Sequence, residues 1–509
     1  MTNKKTRALI VCAIALLVGA LVYITTSASP PKRFVELNEL PTIYPDYVDV
    51  VVPKNIAPLN FYIEEPGDDY RTVVVDGDRA LLCVAGRDVR FPEKKWKQIL
   101  AQKGDGALKV DVYVKTSAQG WTRFKTFAFN VSKDPVDEWL SYRLIEPGYD
   151  YGGSICLAQR NLTTFDERVF FNANATRSCV NCHAFQNRET KNFMFHYRKG
   201  QKNPEGGTIF ALDGKVQKIT GKIESLSGSC SYPAWRPTGD LVAFSSNKTY
   251  QVFHTLSSQK IEVFDIESDL VLLNPGKNTA RTITSTPNEF ETFPSWSPDG
   301  KTLYYCSARA PAPQTGLNEK TRALDVAERI KEFRYDVYKR EFDESTQTFS
   351  EPTLVVDASA SGLSALFPRV SPDGRRLVYT VAESGTFPIW RPEAELWIKD
   401  LQTGEERPLD EINARGADSY HTWDSSGRWL VFSSRREDGQ YTRPYFAHFD
   451  ENGRASKPFV LPQRDPLANR RLFKSYNVPE LTIEPIRVSN RALVDAAKSD
   501  PLATREESR

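Results

Sequence analysis

Short apolar-rich runs with a period of two, separated by Gly, Pro, Asn and Asp, dominate this chain and predict β-strands. In the N-terminal part, Ala57 to Ile63, Arg71 to Val75, Ala80 to Val84, Ala107 to Lys115 and Trp121 to Val131 read as strands. There only Glu93 to Gln102 has a helical pattern. These runs predict a small β-sandwich-like domain over residues 31–140. No motif within it carries chemistry, so it is expected to be a structural or docking module.

The second half repeats itself. Tyr232-Pro-Ala-Trp235-Arg-Pro-Thr-Gly239, Phe293-Pro-Ser-Trp296-Ser-Pro-Asp-Gly300, Phe367-Pro-Arg-Val370-Ser-Pro-Asp-Gly374 and Tyr420-His-Thr-Trp423-Asp-Ser-Ser-Gly427 each precede an apolar strand. The turn residues suit a tight reversal, with Gly accepting positive φ and Pro or Asp opening the turn. A further strand pair follows each copy, beginning near Ile261, Tyr335, Ala394 and Tyr445. Four strands per unit in series make a β-propeller blade, here over residues 141–490 with a tail at 491–509.

Four copies do not close a ring. Ser178 to Phe185, Asn192 to Arg198, Gly206 to Leu212 and Val216 to Thr220 supply a further unit. Ile155 to Arg160 and Glu167 to Phe171 resemble an outer strand pair whose inner partners lie around Tyr476 to Val488. The expectation is mainly β: a six-bladed ring fastened from both ends. It becomes seven blades if the inserts at 250–285 or 308–335 hide another.

At the N-terminus, Lys4, Lys5 and Arg7 precede the apolar run Ala8 to Ile24. This predicts a transmembrane signal anchor over 1–30, with the remainder on the periplasmic side of the cell inner membrane. Thr26-Ser27-Ala28 is a poor small-x-small site, which favours an uncleaved anchor over a released periplasmic form. The net charge of +2 gives no nucleic-acid footprint.

One motif carries chemistry: Cys179-Val180-Asn181-Cys182-His183. Cys-x-x-Cys-His is the attachment sequence of haem c, with two thiols for the porphyrin vinyls and the adjacent imidazole as proximal iron ligand. No second Cys pair completes a zinc site, and no βαβ pattern suggests a dithiol oxidoreductase. Cys83, Cys156, Cys230 and Cys306 stand in apolar strands as buried thiols. The motif is expected where the other units place Pro-Asp-Gly. For the position opposite His183, the candidates are His196, Met194 and His254, against an open iron. Met194 and His196 fall on one face of the strand after the motif, with Phe193 and Phe195 on the other. Each has a plainer reading as a structural histidine or a core methionine. His421 and His448 are expected to be structural.

The four turn repeats resemble the WD40-like (PD40) repeats of TolB-type β-propellers, and most of residues 55–480 resembles TolB-like Bacteroidetes envelope proteins carrying one Cys-x-x-Cys-His. Val370 departs from the Trp of the repeat, and Asp424-Ser-Ser-Gly427 departs from Ser-Pro-Asp-Gly. The resemblance implies a propeller that docks protein partners. A Phe-His after the motif, here Phe195-His196, favours His196 as distal ligand. The expected function is a membrane-anchored periplasmic monohaem cytochrome c in electron transfer or redox sensing with a protein partner. The alternatives are an envelope interaction scaffold with structural haem, and a haem peroxidase-type enzyme. A serine hydrolase is set aside, because no Gly-x-Ser-x-Gly elbow is present.

Overall fold

The computed structural model describes residues 28–146, 155–176, 178–198, 206–226, 228–255, 259–286, 288–309 and 318–507. The apolar run expected to form the anchor lies outside them. Among the described residues no helix is long and apolar enough to cross a membrane.

The described chain divides into two units. The first comprises the N-terminal region to Pro135 with residues 163–165 and 457–472. Its larger sheet is built on Gly106–Thr116, which pairs with Asp69–Asp76, Gly120–Arg123 and Phe127–Ser132. A three-stranded sheet joins Ile43–Tyr44, Phe61–Ile63 and Asp88–Val89. The one α-helix described before residue 135, Glu93–Lys103, follows Pro92 and ends at Gly104, whose positive φ lets its N–H bond the Leu100 carbonyl. The helix buries Trp96, Ile99 and Leu100. Trp96 stacks on Phe91 at 5.2 Å and donates its indole N–H to the Ile56 carbonyl.

The second unit has β-propeller architecture. Among the described residues six sheets, antiparallel apart from one parallel C-terminal strand, start from the inner strands Val180–Gln186, Ser229–Trp235, Glu289–Trp296, Ser364–Val370, Asp418–Trp423 and Ser475–Thr482. Each inner strand contacts the next in this order, and the last returns to the first. The ring is fastened from both ends of the unit, but not as two strands plus two. Ser475–Thr482 pairs with Trp139–Ile145, and Cys156–Asn161 and Glu167–Asn172 follow outward. The alternation of Trp139–Ile145 looks like that of the preceding strands, and period alone does not reveal a pairing partner. The C-terminal segment is also structured. Helix Asn490–Lys498 buries Leu493 and Ala497, and Arg505–Glu506 pairs in parallel with Thr279–Ala280.

The repeated turns use one set of bonds. The Ser297 hydroxyl donates to Asp299 Oδ1 at 2.5 Å and accepts from the Thr302 N–H at 2.9 Å. Asp299 also accepts from the Lys301 N–H at 3.0 Å. Ser371, Asp373, Arg375 and Arg376 repeat the pattern. In the divergent copy the roles reverse: Asp424 takes the serine position and accepts the Trp429 N–H at 3.0 Å, while Ser426 donates back to it. Two of the repeat tryptophans tie neighbouring sheets. Trp235 donates to the Ala184 carbonyl at 3.2 Å, and Trp423 to the equivalent carbonyl of Arg369 at 3.3 Å.

Candidate functional site

Every inner strand of the ring carries the same distortion. Cys182, Tyr232, Phe293, Phe367, Tyr420 and Val478 all have φ between 47° and 53°. The pairing register slips beside each of them. Left-handed backbone costs a non-glycine residue about 1–3 kcal/mol and persists only where the surroundings hold it. Here side-chain packing does so. Tyr232 and Phe293 lie 4.4 Å apart between ring centroids, Phe293 and Phe367 3.9 Å, and Phe367 and Tyr420 4.9 Å.

This geometry corrects the expected alignment of the Cys-x-x-Cys-His motif. Cys182 takes the position of these aromatic residues, not that of Pro-Asp-Gly. The next position holds Pro233, Pro294, Pro368 and Pro479 in four strands, His183 in the motif strand and His421 in the sixth. The turn slot is filled downstream by Asn187 and Arg188, both with positive φ, between the paired residues Gln186 and Glu189. Two such residues make a type I′ hairpin turn. The motif therefore lies on an inner strand beside the ring axis.

A cavity of about 700 Å³ lies there, bordered by Cys179, Cys182 and His183 together with Tyr232, Phe293, Phe367, Tyr420, Trp390 and Val478. Arg143, Arg198, Arg435 and Glu480 also line it. His183 is 3% exposed, and the backbone groups of Ser141 and Val478 lie against its ring. Its Nε2 stands 4.0 Å from Glu480 Oε2, beyond hydrogen-bond reach. Burial, reinforced by the Arg143 charge, pulls the imidazole down to about 3. It is thus neutral at physiological pH, the form that ligates metals. Burial raises the Cys182 thiol above its ordinary value. Burial also pushes Glu480 up to about 7, although its Oε1 accepts the Phe185 N–H at 3.0 Å.

The three candidates for the position opposite His183 do not border this cavity. Met194 is fully buried in an apolar cluster with Ala184, Phe210, Ile219 and Trp235. His196 is 8% exposed, pairs across the strands with Asn181, and is held down to about 3 by burial. His254 lies on a hairpin arm, where its N–H donates to the Lys260 carbonyl at 2.8 Å. Alternation did place Met194 and His196 on one face and Phe193 and Phe195 on the other, but that first face packs against the neighbouring sheet. The other histidine at the cavity is His421, whose Nε2 lies 2.9 Å from the Val378 carbonyl. His448 packs on Trp429 at 4.9 Å. Among the described residues no three His, Cys, Asp or Glu side chains converge as a metal site.

Sequence reasoning missed Arg143 and Glu480, which reach the cavity from the sheet that closes the ring. The available signal was a charged residue within each apolar run, Trp139–Ile145 and Ser475–Thr482.

No family profile and no curated protein matches the chain. Solved structures with partial similarity include the oligogalacturonate lyase of Vibrio parahaemolyticus, at 12% identity and TM-score 0.32, over 62% of this chain and 93% of that one. An auxiliary nutrient binding protein of Bacteroides thetaiotaomicron matches at 10% identity and TM-score 0.34, over 82% and 99%. Prolyl oligopeptidase B of Galerina marginata matches at 11% identity and TM-score 0.36, over 64% of this chain and 45% of that one.

Proposed function

We propose that the protein is a monohaem c-type cytochrome built into a six-bladed, TolB-like propeller, serving electron transfer or redox sensing with a protein partner. The observation that carries this reading is that both motif cysteines and His183 border one cavity at the ring axis, with the imidazole buried and neutral. The cavity volume falls in the range of about 300–1,000 Å³ that suits a cofactor-sized molecule. Cys179 and Cys182 would hold the porphyrin through thioether bonds, and His183 would supply the proximal nitrogen. Bound there, haem supplies one-electron chemistry tuned by ligation and burial. Tyr232, Phe293, Phe367 and Tyr420 would give the group an aromatic lining, and the left-handed backbone at Cys182 would set the position of the second sulfur. The N-terminal apolar run would tether the protein to the inner membrane with the ring on the periplasmic side.

The test is expression of the full chain in a host with working cytochrome maturation, followed by intact mass and a pyridine haemochrome spectrum. The expected result is one added haem in the wild type and none in the Cys179→Ala/Cys182→Ala chain. A colourless wild-type protein with the mass of the bare chain overturns the reading.

One observation favours a second reading. Met194, His196 and His254 do not border the cavity, and His421 Nε2 lies 2.9 Å from the Val378 carbonyl, which would leave the iron without the expected distal ligands. Such a site suits a peroxidase-type enzyme. A high-spin ferric spectrum that changes on adding peroxide would select it over electron transfer.

A further inference from the structure

Among the described residues the insert at 250–285 holds no further blade. It lengthens Val242–Phe253 and Ile261–Asn274, in the second sheet of the ring, into a hairpin arm. At the root of the arm the register slips between the pairs Lys248 with Glu267 and Thr249 with Asp265, leaving Ile266 without a partner in the ladder. Such a bulge bends the strand that carries it. The root is braced on the sheet side of the bulge. Lys248 and Arg322 meet Glu267, and Lys248 also meets Glu319 at 3.0 Å, at the start of helix Glu319–Glu328.

Beyond the bulge, other sheets hold the arm. The Thr386 hydroxyl donates to the Val263 carbonyl at 3.0 Å, and Lys260 Nζ donates to Gln440 at 3.0 Å. Arg391 Nη2 donates to Glu262 Oε2 at 2.8 Å, and neither side chain is more than 10% exposed. Gly385, at φ 81°, makes room for that pair: a Cβ there would stand 2.9 Å from Glu262 Oε1 and 3.0 Å from Arg391 Nη2. A buried ion pair adds little stability, because desolvation offsets its attraction. Burial indeed raises the Glu262 carboxyl above its ordinary value despite the Arg391 charge. The use of this pair is positional. Thr386 and Arg391 lie between strands of the fourth sheet, and Gln440 between strands of the fifth. The second and fifth of six sheets face each other across the axis, so the arm crosses it. Thr249, Gln251, Ile261 and Val263 border the axial cavity, with Thr249 and Gln251 still exposed. The arm thus narrows the mouth without sealing it.

Resting on the reading of the axial cavity as the cofactor site, we propose that this arm is a hinged strap controlling entry to the cavity, with the bulge at Ile266 as its hinge and the Glu262–Arg391 pair as its latch. Small solutes pass the latched arm through the gap beside Thr249 and Gln251. A flat, cofactor-sized molecule passes only when the latch releases.

The test uses the haem-free, full-length protein as wild type and Arg391→Gln, with hydrogen–deuterium exchange and the rate of hemin uptake followed at the Soret band. Backbone amides of 248–253 and 261–264 are expected to exchange about tenfold faster in Arg391→Gln, while 242–246 and 270–273, below the bulge in the same two strands, keep wild-type protection. Hemin uptake is expected to quicken by about tenfold in the same variant. Gly385→Ala crowds the pair without leaving a charge alone and is expected to act in the same sense, so the readout survives a misfolded Arg391→Gln. Loss of protection on both sides of the bulge together, or on neither, overturns the hinge and latch. A loosened arm with an unchanged uptake rate overturns the control of entry. A wild-type chain that takes up no hemin overturns the cofactor reading instead, and the exchange measurement, which needs no haem, still decides whether the strap opens.

Discussion

His183 and His421 occupy the same register position in two inner strands of the ring, each directly after a residue with φ near 48°. Four of the six strands place proline there. The slot therefore accepts a residue with no N–H to donate, and the two histidines part company only in what their rings meet. His421 is engaged with the Val378 carbonyl of a neighbouring sheet, whereas His183 lies against the backbone of Ser141 and Val478 in the sheet that closes the ring. His421→Pro is expected to cost no more than one hydrogen bond, about 0.5–1.5 kcal/mol in urea unfolding, and to leave the visible spectrum of the loaded protein unchanged. His183→Pro is expected to fold equally well but to alter the spin state of the bound iron. An unaltered spectrum in His183→Pro would remove the proximal assignment.

Met194 and His196 answer a different question. Met194 sits in the apolar layer with Phe210 and Trp235, so Met194→Ala should destabilise the ring by about 2–5 kcal/mol through the void it leaves. The same variant and His196→Ala should keep the iron spectrum of the wild type, because neither side chain borders the cavity. A loss of low-spin character in either would place that residue on the metal.

Phe367 is the hub of the axial aromatic cluster, 3.9 Å from Phe293, 4.9 Å from Tyr420 and 5.9 Å from Tyr232 between centroids. Phe367→Ala is expected to lower unfolding free energy by about 3–5 kcal/mol, measured by urea titration. A change below about 1 kcal/mol would mean that the cluster contributes little to closing the ring.

Burial pushes the Asp265 carboxyl up to about 7, against the lowering effect of hydrogen bonds from Asn247 and Tyr335. Its ordinary value is 3.8. Between these limits the folded chain holds a proton that the unfolded chain has released, so stability is fully present below about pH 4 and falls as pH rises through about 7. Asp265→Asn removes this dependence. The wild type should lose urea resistance relative to Asp265→Asn between pH 5 and pH 8. Parallel profiles for the two proteins would refute the assignment. Glu291, raised to about 8 by burial, acts in the same sense in both proteins and cancels in the comparison.

The sequence was most legible where local chemistry is self-contained. Ser297-Pro-Asp-Gly300 and Ser371-Pro-Asp-Gly374 announce their turns because each hydroxyl, carboxylate and glycine acts within a few residues of its neighbours. The faces of Met194 and Phe193 follow from alternation alone. Pairing across distance was less visible. Nothing local in Trp139–Ile145 says that its partner is Ser475–Thr482, more than three hundred residues on, so Arg143 and Glu480 could not be brought to the motif from sequence. The alignment of the motif failed for a related reason. The left-handed position has no residue signature, accepting Cys182 and Val478 as readily as Tyr232, so the next recognisable feature, the turn, was matched instead.

Ser475–Thr482 is the last inner strand to leave the ribosome, and it lies against both Val180–Gln186 and Asp418–Trp423. In the finished ring the Cys182 residue is 8% exposed. On the proposed haem reading, thioether formation at Cys182 would be easiest before this strand docks. A polypeptide stopped at Lys474 should stay open to a bulky maleimide at both cysteines, while the finished haem-free protein should react at Cys179 alone.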